Sequence, residues 1–196
     1  MMMVIERDSL LSLEQYARER AAFRARVIAH KKHRSLALGS NVTLMFEDEL
    51  TIRYQIQEML RIERTFEEAG IQDELDAYNP LVPDGQNWKA TMLIEFPDES
   101  ERKVWLSRLI GIEDRVWVQV AGFERVFAIA DEDLERENAE KTSSVHFLRF
   151  ELGFDRVAAL RRGASVAAGI EHPAYTVTVD VVPEALRQSL CGDLRT

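Results

Sequence analysis

Residues 44–66 read LMFEDELTIRYQIQEMLRIERTF, and the fold turns on how this stretch is divided. The first three residues end a short apolar run that begins at Val42. The acidic triplet Glu47-Asp48-Glu49 then opens a long helix, because carboxylates suit the positive N-terminal end of a helix. With about 100° per residue and Ile52 at zero, Met59 and Phe66 fall roughly 20° and 40° to one side and Ile56 roughly 40° to the other. Glu63 lands at about 20°, where a leucine is expected. A carboxylate on an apolar face must find a cation, a metal or hydrogen-bond donors, take up a proton, or be tipped into water by the end of the helix. Glu58 and Arg61 lie off this face and are expected to be solvated. Gly70 is the expected stop.

Upstream, Ser12 and Gln15 have capping-box spacing and start a helix that runs to about Arg34. Its apolar stripe is Leu13, Tyr16, Phe23 and Val27, with Arg20 and His30 set into it. Residues 12–34 hold seven Lys/Arg against two Glu, a local charge of +5 in a chain whose total is −9, so the remainder carries −14. A basic helix on an acidic protein is either a solvated face or a docking surface for an acidic partner. The His30–His33 pair resembles metal spacing, but His33 lies about 100° off the stripe that holds His30.

Downstream, Gly39 marks a turn, residues 73–78 a helical turn, and 79–85 (NPLVPDG) a rigid loop. Strict alternation marks strands at 42–46, 88–96, 115–120, 125–130, 144–152, 166–170 and 175–181. His146 shares the inward face of Leu148, Phe150 and Leu152, and His172 sits in a turn. Asp98 caps a helix to about Ile110, another helix runs to about Arg162, and Pro183 opens a last one. Residues 131–140 carry six acids against one Arg and read as a solvated helix or mobile segment without calcium-loop spacing. The expectation is an α+β fold: one antiparallel sheet of about five to seven strands packed against two long helices, helix first. Residues 1–196 form a single domain, with 1–40 as a candidate appendage on a 41–196 core.

Composition bounds the function. At 46% hydrophobic and 30% charged residues the chain is an ordinary globular one. Its negative charge argues against nucleic acid and anionic membrane as partners. The single cysteine, Cys191, cannot make an internal disulfide or hold a typical iron–sulfur cluster. No signal-peptide pattern or long apolar run occurs, so a cytoplasmic location is expected. Phosphate-cradling glycine loops, nucleophile elbows and paired-histidine zinc motifs are all missing, which leaves the question of enzyme activity open.

Six strings, RARVIAHKKHR (24–34), LMFEDELTIRYQIQEMLRIER (44–64), ELDAYNPLVPDG (74–85), GIEDRVWVQV (111–120), EKTSSVHFLRFEL (140–152) and EHPAY (171–175), together resemble the bacterial domain of unknown function 3501. The resemblance brings no catalytic residues. It implies a gene neighbourhood shared with a rubrerythrin-like protein and an iron–sulfur oxidoreductase subunit, hence an accessory role in oxidative stress or electron transfer. Polar residues inside the strings are His30, Gln55, Glu58, Asn79, Asp84, His146 and His172. Two readings follow. One is an accessory protein that docks on redox partners through the basic helix and the acidic 131–140 segment. The other is a metal or small-ligand site, for iron, zinc or manganese, assembled from His30, Glu63 and His146 with Glu58 or His172.

Overall fold

The computed structural model describes residues 4–130 and 141–195. Eight strands form two four-stranded sheets, with six α-helices among the described residues. The expected single sheet against two long helices is therefore corrected. The strands are β1 (Ser35–Leu38), β2 (Val42–Glu47), β3 (Asn87–Ile94), β4 (Val116–Val120), β5 (Val126–Phe127), β6 (Val145–Glu151), β7 (Val166–His172) and β8 (Tyr175–Val179). The first sheet has the order β1-β2-β3-β6 and the second β5-β4-β7-β8, and every pairing is antiparallel.

Leu36, Leu44, Phe46, Trp88, Met92, Leu148 and Phe150 from the first sheet share one core with Val116, Val118, Val120, Val166, Ala168 and Ile170 from the second. Each of the two sheets thus turns an apolar face to this shared core. The acidic segment 131–140, expected as a solvated connection, lies outside the described residues.

The helices are α1 (Leu13–Lys31), α2 (Glu49–Glu63), α3 (Glu68–Tyr78), α4 (Glu99–Arg108), α5 (Gly153–Arg161) and α6 (Glu184–Cys191). The long helix expected to reach Gly70 stops at Glu63. Arg64 adopts a left-handed φ of 54° and closes α2, and Gly70 lies inside α3. The 73–78 turn is the second half of that helix. Residues 35–38, just past the expected helix end at about Arg34, are a strand, paired with β2 across a turn in which Gly39 has φ +76°.

The first three helices form a layer with a core of its own. Ile52, Ile56 and Leu60 of α2 pack with Ile71 and Leu75 of α3 and with Ile5 and Leu10 of the N-terminal segment. Two carboxamides, buried Gln57 and half-buried Asn79, hold that segment by its backbone. Gln57 accepts from the Leu11 N–H at 2.7 Å and donates to the Leu11 carbonyl at 3.2 Å. Asn79 accepts from the Ile5 N–H at 2.9 Å and donates to its carbonyl at 3.1 Å. Helix α1 lies across α2 and buries only Tyr16 and Val27.

Candidate functional site

Three chain segments converge at one end of the first sheet: the end of α1, the β2–α2 turn, and the residues that follow α6. Arg34 sits where they meet and is 1% exposed. Its guanidinium donates to the Phe46 carbonyl (3.1 Å), the Glu47 carbonyl (2.9 Å) and the Ser189 carbonyl (3.2 Å). It also grips both oxygens of Asp193, at 3.1 and 2.7 Å. Such a bidentate pair fixes geometry as well as charge. Burial pushes the Asp193 carboxyl up to about 6, with Arg34 pulling the other way and Asp48 adding repulsion.

Asp48 does two jobs. It caps α2, accepting from the Thr51 N–H at 3.0 Å while its own N–H donates to the Thr51 hydroxyl. Its other carboxylate oxygen lies 2.5 Å from His30 Nε2 and 3.8 Å from Arg34 Nε. The capped helix end keeps the carboxylate in place. The sequence stripe that carries His30 on α1 brings the imidazole across to it. With Nε2 on Asp48, Nδ1 is the ring nitrogen left to meet a ligand or take a proton.

The His30–Asp48 pair opens on a cleft of about 330 Å³ whose walls include Val82, Pro83, Asp84, Ser189 and Arg195. Asp84 is exposed on its rim and turns the 79–85 loop by accepting from the Gln86 N–H at 2.8 Å. Cations and carboxylates both face the space. The arrangement suits a small polar molecule, with an Asp-oriented histidine able to exchange a proton with it.

Other expected residues lie elsewhere. Glu63 is exposed at the last position of α2, in water. Glu58, expected to be solvated, is the hub between α1 and α2. It accepts from Tyr16 Oη (2.7 Å), Arg20 (2.7 and 3.0 Å) and Arg61 (3.2 Å). Arg20 above all holds the Glu58 carboxyl down at about 2, and burial together with Glu58 pushes the Tyr16 phenol up. His146 is buried, as its strand face implied, with Nε2 2.9 Å from the Thr142 hydroxyl and 3.1 Å from the Ser143 carbonyl. His172 accepts from the Ala174 N–H at Nδ1 and donates from Nε2 to the Ile110 carbonyl at 2.9 Å. Asn79 clamps the N-terminal segment, and Gln55 is exposed at the rim of a second cavity.

No group of three or more His, Cys, Asp or Glu able to hold a metal occurs among the described residues. His30, Glu63, His146, Glu58 and His172 do not assemble into one donor set. The Cys191 thiol is half-buried, and burial pushes its pKa up, away from nucleophilic reactivity. No described helix is long and apolar enough to cross a membrane.

Arg34, Asp48, Asp193 and Gln57 are the residues that sequence reasoning missed. Asp48 and Thr51 do carry the spacing of a reciprocal cap, which signals a held carboxylate. Arg34 and Asp193 are separated by most of the chain, and nothing local distinguishes them from solvated charges.

A family model described as "Protein of unknown function (DUF3501)" matches residues 4–194. The chain is also similar to a protein from Burkholderia pseudomallei K96243, whose crystal structure is described as that of a novel protein of unknown function. The two share 56% identity and a TM-score of 0.93, over 98% of this chain and 100% of the other. No curated protein matches.

Proposed function

We propose, on the premise that the chain belongs to the DUF3501 family, that this protein is an accessory binding protein with a small polar ligand at the His30 cleft. One observation carries the reading: the His30–Asp48 pair lines the cleft on a scaffold whose β2 end, α2 start and C-terminal residues are hydrogen-bonded in place. Arg34 fixes β2 and the C-terminal residues, and the Thr51–Asp48 cap fixes α2. A site held this way is preorganised, which lowers the cost of binding. His30→Ala removes the one ring that faces the ligand and leaves the Arg34 network intact.

The test is an NMR screen of small polar metabolites against amide-labelled protein. Compounds that shift residues around His30, Asp84 and Ser189 are expected, and H30A should weaken them about tenfold or more. Binders that map elsewhere, or that H30A leaves unaffected, would remove the cleft from consideration.

The partners implied by the family resemblance, a rubrerythrin-like protein and an iron–sulfur subunit, belong to the same reading. In its support, α1 exposes Arg24 and Arg26, and its C-cap residue Lys32 is exposed too, on a chain of net charge −9. An acidic partner surface complements that helix. Calorimetry with the two neighbouring gene products should show salt-sensitive binding that Arg24→Glu with Arg26→Glu abolishes. No heat at low salt would end the docking proposal while leaving the cleft untouched.

A further inference from the structure

A second cavity lies on the opposite side of the first sheet from the main core. Because strand residues alternate, Met45 and Glu47 of β2, Thr91 and Leu93 of β3, and Val145 and Phe147 of β6 point away from that core. Helix α2 and the end of α3 roof them over and leave about 290 Å³, close to the size of small-ligand pockets. The walls are mostly apolar, with Ile52 and Leu81 facing Met45, Leu93 and Phe147.

One carboxylate stands in this apolar surround. Glu47 accepts from the Thr91 hydroxyl at 2.7 Å through one oxygen and from the Thr51 hydroxyl through the other. Both donors are neutral hydroxyls, and Lys89, the cation opposite Glu47 across the β2–β3 pair, lines a different cavity. Each oxygen keeps acceptor capacity for another donor. Lys31, also in the wall, lies with its ammonium 5.9 Å from the Tyr54 ring centroid, and no ion pair joins it to Glu47.

We infer that this cavity binds a small organic ammonium compound, with the protonated amine on Glu47 and an apolar ring or chain against Met45, Leu93 and Phe147. A charge-assisted hydrogen bond in an apolar site selects a cation over a neutral isostere. No described residue lines both this cavity and the His30 cleft, and Thr51, which bonds both Glu47 and Asp48, links the two.

Three matched probes test it by calorimetry and amide chemical shifts: 2-phenylethylamine, 2-phenylethanol and phenylacetate. The amine should bind with shifts at Met45, Thr91 and Phe147, roughly tenfold or more tighter than the alcohol, with the carboxylate weakest. Glu47→Gln keeps acceptor and shape, and should erase the preference for the amine. Leu93→Trp fills the cavity, and should abolish binding of all three probes while the thermal transition persists. Equal affinity for amine and carboxylate, shifts outside the cavity, a preference that survives E47Q, or undiminished amine binding to L93W would each overturn the inference.

Discussion

Arg34 is the residue on which three segments of the chain depend. It is a buried cation whose donors are taken by three backbone carbonyls, a serine and a carboxylate, and the carboxylate comes from 159 residues further along. Replacing Asp193 with Asn keeps the shape and removes the compensating charge. Stripping a buried ion of its only partner typically costs about 3 kcal/mol, but Asp48 still stands 3.8 Å from Arg34, so D193N should lose about 2 kcal/mol in urea unfolding at pH 7.5. Glu58 behaves oppositely with acid. Its carboxyl lies at about 2 when folded against an ordinary 4.5. It therefore contributes stability above about pH 4.5, and that contribution is lost as pH falls toward 2. Glu58→Gln should lower stability at pH 7 and flatten its decline over that window, as read from unfolding midpoints across an acid series.

At the scale of elements, close approach sets the limits. Gly169 faces Trp117 across the β4–β7 pair, and a Cβ there would come within 2.5 Å of the indole and 2.4 Å of the Val177 carbonyl oxygen. Neither a core tryptophan nor a ladder carbonyl can retreat easily, so Gly169→Ala should cost about 2 kcal/mol or more in thermal or urea unfolding. Most strands and four helix starts were legible, because alternation and capping are local signals that burial then rewards. The early end of α2 was not, since it rests on Arg64 in a left-handed conformation, which the residue type disfavours and only the fold imposes. Glu63 meets one of the outcomes the sequence allows, a helix end that tips it into water, because it is the last residue of α2 and exposed. His146 was legible as inward because β6 alternates cleanly around it.

At the scale of the whole molecule, the expected single sheet failed for a reason of counting. Alternation marks seven runs, and β1, four residues long between the helix and the Gly39 turn, is not among them. Alternation says that a strand has a buried face but not which sheet that face meets. The division into two sheets follows from long-range pairings such as β3 with β6 and β4 with β7, which leave no local trace. The same holds for the His30 cleft, whose members come from residues 30 to 195. The C-terminal residues also complete the main core through Leu186, Leu190 and Leu194. A chain cut after Pro183 should accordingly fail to show a cooperative thermal transition by circular dichroism.

The carboxamide grip on the N-terminal segment has a consequence of its own. Gln57 and Asn79 each satisfy both backbone groups of a single residue, Leu11 and Ile5, in the way a neighbouring strand would. Residues 4–11 are therefore held as a receptor holds a peptide, by main-chain pairing plus apolar anchors at Ile5 and Leu10. Covalent attachment makes this an intramolecular complex in which the tether supplies the local concentration. A chain beginning at residue 12 should lose stability and regain it when a synthetic 4–11 peptide is added, with a midpoint that rises with peptide concentration. Gln57→Leu should weaken that rescue more than it weakens the intact chain.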